Sequence, residues 1–353
     1  MDSSPQPPDQ TRSMHHFVTC AYLEGMLASG ESRLWVYERN SDHVFRNIPK
    51  NLASKKSYYT AVGKDGVETD KVEKMLGKVV EGPGIAILRY IAKEMKQLDW
   101  EQRFRVAMLI AAQEMRVPYM RDQLSNAMKG ITTAYMNTKV SAPGVLEAYL
   151  ERIKATDNKY STVSVEDIRN AVISGKIYPN MHPEASIQAM GHTLPLLMKT
   201  YAEMKWEVFI ARDGEFVTSD CPVCRDYPET SAGFAGLDNK DLNIYFPISR
   251  DRVLRLSHDQ KKLEKYERFM NKGREREATL LLSRIPAISY RFIPSAETER
   301  INELIIRRAS RWIYSPSQNP SIITRFRGDC INLRMDYEIN ANEGWLRWQN
   351  RIK

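Results

Sequence analysis

The spacing of apolar residues changes period twice along this chain, and those changes set what it can fold into. Strand-like alternation of apolar and polar side chains falls before residue 69 and after residue 205; between these points the apolar residues recur every three to four positions, as on helices. The expectation is an α+β fold, with short antiparallel sheets from the N-terminal and C-terminal halves packed on a central helical block.

The N-terminal strand signal is Leu34-Trp-Val-Tyr-Glu-Arg39, followed by a polar turn and Val44-Phe-Arg46. This predicts a hairpin with Trp35 and Tyr37 on one face and Leu34, Val36 and Glu38 on the other, covered on both sides. Tyr58-Tyr59 predicts one more short strand. In the second half, Trp206, Val208 and Ile210 alternate toward an Arg212-Asp213-Gly214 turn and Phe216-Val217 returns, which predicts a second hairpin. Its returning strand ends in Thr218-Ser219-Asp220 and is stopped by Pro222. Residues 242–249 and 252–256 read as a strand pair joining that hairpin, and 311–315 as a last strand.

In the helical stretch, Val72, Met75-Leu76 and Val79-Val80 mark one face, the Gly82-Pro83-Gly84 interruption breaks the helix, and Ile85 to Met95 resume it. Asp99 caps the next helix, whose stripe is Phe104, Met108, Ala111 and Met115. Residues 260–283 read as a single charged helix, and a later helix carries Arg307 and Arg308 at its C-terminal end. Residues 1–13 read as a disordered tail, 14–315 as a single α+β domain and 316–353 as an irregular basic extension.

A chain of 353 residues can bury a proper core, and with four cysteines it needs no disulfide framework, which fits a reducing compartment. No apolar run approaches the roughly 20 residues that span a bilayer, and the first dozen residues do not form a secretory signal. The expected location is cytoplasmic, without membrane contact. The net charge of +8 is concentrated late, since residues 250–353 hold 22 Lys and Arg against 13 Asp and Glu. That excess predicts an anionic partner such as nucleic acid. P-loop, GxGxxG, GxSxG and HExxH patterns are absent from the sequence, which disfavours the enzyme classes built on them.

Several separated pieces then fit one pattern: His15-His-Phe-Val-x-x-x-Tyr-Leu23, Leu34 to Arg39, Pro49-Lys-Asn51, Tyr58-Tyr59, Glu81-Gly-Pro83, Gln113-x-x-Arg-x-Pro118, Phe216-x-Thr-Ser-Asp-x-Pro-Val223, Phe246-Pro-Ile-Ser249, and Asn302 through Ala309 to Ser315. In this order they resemble the bacterial DUF4238 family, a family of unknown function. The chain departs from that pattern at Thr19, where the family usually has proline, and at Cys221, a position often filled by asparagine. The resemblance supplies no activity and directs attention to the polar positions.

Gln113 and Arg116 lie three apart on a helix and share a side. A buried arginine there needs a carboxylate or phosphate partner. The functional expectation is a composite pocket in which Arg39, Gln113, Arg116, Thr218 and Ser219 bind substrate while His16, Glu81 and Asp220 act as acid, base or holders of a divalent metal. The structural alternative is an ion-pair network tying the N-terminal hairpin to the helices and the central sheet. Zinc is a competing reading, with His16, Cys20, Cys221 and Cys224 as ligands. The preferred function is a phosphodiester-acting enzyme, an RNA- or DNA-directed nuclease in a toxin or phage-defence setting. The alternative is a non-catalytic module whose basic C-terminal surface, Arg307 and Arg308 included, docks nucleic acid or protein.

Overall fold

The structure is a computed structural model that describes residues 14–56, 58–59, 61–62, 68–69, 71–156, 162–176, 183–227, 236–237, 239–284, 286–318, 335–340 and 345–350. The chain opens with β1 (Met14–His16), α1 (Cys20–Glu24), β2 (Leu34–Glu38), β3 (Val44–Asn47), a 3-10 turn at Pro49–Asn51, β4 (Ser54–Lys56), β5 (Ala61–Val62) and β6 (Glu68–Thr69). Helices follow: α2 (Lys71–Met75), a π-helical segment at Leu76–Glu81, α3 (Gly82–Glu94), α4 (Trp100–Met115), α5 (Pro118–Ser141), α6 (Val145–Thr156), α7 (Val165–Ile173) and α8 (Pro183–Glu203). Then come β7 (Lys205–Ala211), β8 (Thr218–Ser219), β9 (Cys224–Asp226), β10 (Asn243–Ser249), β11 (Arg252–Ser257), α9 (Gln260–Met270), α10 (Glu275–Ser283), β12 (Ser289–Ile293), α11 (Ser295–Arg308) and β13 (Trp312–Ser315). A last antiparallel pair joins β14 (Met335–Asn340) and β15 (Trp345–Asn350). The class is α+β, as expected.

Contacts divide the chain into two compact units. One comprises Met1–Met120 with Ile187–Ile331, and the other Arg121–Ser186 with Asn332–Lys353. In the second, Val140, Leu146 and Val172 form a small core where α5, α6 and α7 meet.

The first unit contains two larger sheets. One has the order β12-β7-β11-β10-β9 and the other β3-β2-β13-β8. All pairings within them are antiparallel except β12 with β7. The β2–β3 hairpin forms as predicted and is covered on both faces. Leu34 and Val36 enter the main core, whereas Tyr37 joins a second core with Phe209, Val253, Ile305 and Ile313. This second core seals the sheets against α11.

The predicted hairpin over 206–217 does not form. Both edges of β7 are occupied, by β11 and β12, so no place remains for a returning strand. Gly214, at φ +87°, turns the chain away in a conformation that favours glycine. Phe216 then donates its backbone N–H to Arg250 O at 2.6 Å, and Thr218–Ser219 pairs with β13 in the other sheet. The 206–220 stretch is therefore a crossover between sheets.

Three further expectations change. Tyr58-Tyr59 is a buried turn, and the strand beside it is Ser54–Lys56, paired with β1. Gly82-Pro83-Gly84 does not break the helix: the π segment runs directly into α3, with Pro83 in the first turn, where its missing N–H is harmless. Gly84 is there for close packing, because a Cβ at that position would lie 2.8 Å from Leu109 Cβ on α4. Residues 260–283 split into α9 and α10 near Gly273, which has φ +65°. The Asp99 cap is present as a full capping box, with Gln102 N donating to Asp99 Oδ1 at 2.8 Å and Asp99 N to Gln102 Oε1 at 3.2 Å. Among the described residues no helix is long and apolar enough to cross a membrane.

Candidate functional site

The predicted residues fall into two polar clusters. The first lies at the C-terminal end of α4, where Gln113 and Arg116 face the backbone turn between β1 and α1. Both are fully buried. Gln113 Nε2 donates to Phe17 O at 2.7 Å, and its Oε1 accepts from Thr19 N and Thr19 Oγ1, each at 3.2 Å. Arg116 Nε donates to the same Phe17 carbonyl at 3.1 Å. Its Nη2 donates to Thr19 Oγ1 and to Gln113 Oε1, and its Nη1 pairs with Glu81 at the end of the π segment. Burial opposes the guanidinium charge, but Glu81, Tyr59 and Glu73 together outweigh it and hold the Arg116 pKa above its ordinary value. Tyr59 completes the knot, giving its hydroxyl proton to Arg116 O at 3.1 Å and its backbone N–H to His15 Nδ1 at 2.8 Å.

Two carboxylates at this corner keep an oxygen in reserve. Glu81 uses Oε1 on Arg116 and is one-fifth exposed. Glu73, on α2, receives His16 N at Oε1 at 3.4 Å, while its Oε2 is buried with no hydrogen-bond partner among the described residues. Burial raises the Glu73 pKa and Glu81 raises it further, whereas Arg116 pulls it down. His16 is half-buried, and its Nε2 donates to Lys50 O at 2.9 Å, so the ring carries its proton there. Cys20 sits 3.8 Å from Glu24 Oε1, and burial together with that carboxylate raises its pKa, which keeps it a thiol.

The second cluster surrounds Asp220, which is 4% exposed. Its Oδ1 accepts from Ser310 N at 2.8 Å, and its Oδ2 accepts from Arg311 N at 2.8 Å and Trp312 N at 3.1 Å. Thr218 Oγ1 shares a 2.8 Å hydrogen bond with Tyr22 Oη, and Ser219 Oγ accepts from Cys221 N at 3.1 Å. Arg39 donates to Ala309 O from its side chain and to Arg311 O, at 2.8 Å, from its backbone. Burial pushes the Asp220 carboxyl up to about 6 against the pull of the three N–H groups and Arg39. The carboxylate spends its acceptors on one backbone turn, and the cluster latches β8 to the start of β13.

The expected composite pocket is thus divided. Gln113, Arg116 and Glu81 come together with His16 nearby through Glu73, while Arg39, Thr218, Ser219 and Asp220 form the separate latch. One helical turn joins the two: Thr19 belongs to the first cluster, Tyr22 to the second, and Tyr22 N donates to Thr19 O at 3.1 Å. The zinc set is not assembled. His16 is engaged with Lys50, Cys20 with Glu24, and Cys224 with Cys221 O at 3.5 Å; among the described residues no three His, Cys, Asp or Glu side chains are placed to hold a metal ion. The basic residues of the last third are also more committed than their number implies. Arg255, Arg274, Arg300, Arg307 and Arg311 each face a carboxylate.

Sequence reasoning missed Glu73, Thr19 and Tyr59. Only Thr19, where the chain departs from the family pattern, carried a local signal. It also missed Arg103, fully buried, which donates from Nε to Ala202 O at 2.6 Å and stacks 4.3 Å over Trp206.

A family model described as "Protein of unknown function (DUF4238)" matches residues 14–319. No curated protein matches the chain, and no solved structure does.

Proposed function

We propose, since the chain belongs to the DUF4238 family and that family's description assigns no activity, that the Glu73–Glu81–Arg116 corner is an acid–base site for phosphodiester hydrolysis. One observation carries the reading: two carboxylates face one guanidinium, and each retains an oxygen that the fold does not use. Such a pair divides naturally into acid and base. Glu73, held toward its protonated form by burial, donates a proton to the leaving oxygen. Glu81, bonded to Arg116 through Oε1, takes a proton from the attacking water. A P–O bond forms to the water oxygen as the P–O bond to the leaving group breaks, and one proton enters and one leaves the protein. Lys50, exposed beside His16, supplies positive charge for the phosphate. In this scheme Arg116 positions Glu81 and does not touch substrate, because four of its donor contacts end within the protein.

The non-catalytic reading is favoured by a different fact, the saturation of Gln113, Arg116 and Asp220. Incubation of labelled RNA and DNA with wild-type, Glu81→Gln and Glu73→Gln protein, with and without divalent metal, separates the two. Cleavage lost in both variants supports hydrolysis at this corner. No cleavage by the wild type, or cleavage untouched by either change, removes it.

A further inference from the structure

A cleft of about 780 Å³ opens at one end of the five-stranded sheet, where β7, the start of β10 and the end of β11 meet the first turn of α9. Its lining includes Lys205, Lys240, Arg255 and Lys261, together with Glu207, Asp241 and Asp259. The acids are already occupied. Glu207 lies between Lys205 at 3.1 Å and Arg255 at 2.9 Å, Asp259 caps α9 by accepting Lys262 N at 3.1 Å, and Asp241 accepts from Gln260 Nε2 at 3.2 Å. Lys240 spans 3.4 Å to Glu267 on α9.

Cations without a carboxylate partner among the described residues run from Lys261, at the rim of the cleft, along α9. Lys261, Lys265 and Arg268 stand at i, i+4 and i+7, so they share one face over about 10 Å of helix. All three are exposed, and among the described residues none has a carboxylate partner. Leu263 and Tyr266 fall on a different, half-buried face, which points the cationic row outward. A row of cations leading from a polar cleft matches a flexible chain of regularly spaced phosphates better than a compact anion, which would use only one end of it.

We infer that the cleft and the Lys261–Lys265–Arg268 face of α9 bind single-stranded nucleic acid through its phosphate backbone, without base specificity, because contacts to phosphates carry no sequence information. The site lies on α9 and leaves α11, with Arg307 and Arg308, outside the interface. It concerns binding alone and stands whether or not Glu73 and Glu81 cleave the strand, since cleavage is abolished by carboxylate changes and binding by cation changes.

The test is fluorescence anisotropy of short labelled RNA and DNA strands of mixed sequence against the full chain, over about 50 to 200 mM salt. Wild type is expected to bind both, with a log–log salt slope of about −3, and the Lys261→Gln/Lys265→Gln/Arg268→Gln variant to lose at least about tenfold in affinity at low salt and to flatten the slope by about 2. Arg307→Gln, a cation already paired with Glu303, is expected to bind as wild type. The three substitutions are on the surface, and a matched urea midpoint confirms that the variant is folded. Absence of strand binding at low salt, binding unchanged in the triple variant, or retention by anionic phosphatidylserine vesicles in place of either strand would overturn the inference.

Discussion

Arg116 and Asp220 are both buried ions held by partners from distant segments, yet the partners differ in kind. Arg116 is met by side chains as well as backbone: Glu81, Thr19 and Gln113, with Phe17 O. Asp220 is met by three successive backbone N–H groups. A knot tied to backbone leaves little behind, because every donor is consumed by the acceptor it was folded around. A knot tied to side chains leaves remainders, here the second oxygens of Glu81 and Glu73. Both knots hold the fold together, and chemistry is sought only at the first.

The largest expected effect tests that division at Arg116. Arg116→Met leaves Gln113 buried and Glu81 half-buried without their ion, and should cost about 3–5 kcal/mol in urea unfolding. Arg116→Lys should recover only a small part, since an ammonium cannot reproduce the planar fork. An intact fold after Arg116→Met would show that the knot is dispensable to stability. Next is Asp220→Asn, which keeps one acceptor oxygen and abandons donors on the other, for a loss of about 2 kcal/mol. Its pH dependence has a definite sign. The Asp220 carboxyl lies at about 6 in the folded protein against 3.8 in an exposed chain, so between those values the folded state retains a proton that the unfolded state has released. The stability from this group is fully present below the lower value and is lost as pH rises through the upper one. Urea midpoints from pH 4 to pH 7 should show wild type losing ground against Asp220→Asn; a gap widening the other way would mean that the three N–H groups outweigh burial.

Gly84→Ala sharpens the comparison from the side of the first knot, because α3 carries on directly from the segment bearing Glu81. A methyl 2.8 Å from Leu109 Cβ forces α3 away from α4, at about 1–3 kcal/mol by thermal unfolding. The smallest effect belongs to Glu73→Gln. It removes a carboxylate whose ionised form burial disfavours and keeps an acceptor for His16 N, so stability should be unchanged or slightly higher at neutral pH while any hydrolysis is lost. A clear loss of stability would move Glu73 into the structural set.

Much of the architecture is written in local pattern. Alternation in 34–39 gives β2 and assigns its two faces correctly, and Asp99 with Gln102 marks the start of α4. What local pattern cannot express is competition for an edge. Residues 206–217 have the alternation and turn of a hairpin, yet β11 and β12 occupy both edges of β7. The candidate site shows the same limit. Gln113 and Arg116 could be paired from their spacing, but the assignment of Glu81 to Arg116 depends on how the π segment packs on α4, and that of Asp220 to a turn ninety residues away on the packed sheets. Arg103 was invisible because its partners are backbone carbonyls, which leave no trace in residue identity.

The pairing of β2 with β13 also bears on when this protein can exist. Trp312 opposes Glu38, so one sheet is built from opposite ends of the first unit. During synthesis β2 waits with an open edge until almost the whole of that unit has emerged, and α11, β13 and the donors for Asp220 arrive together. An exposed strand edge in the interval is a binding site for a chaperone or for another nascent copy. The same late arrival makes residues 309–315 the segment that closes both this sheet and the Asp220 latch.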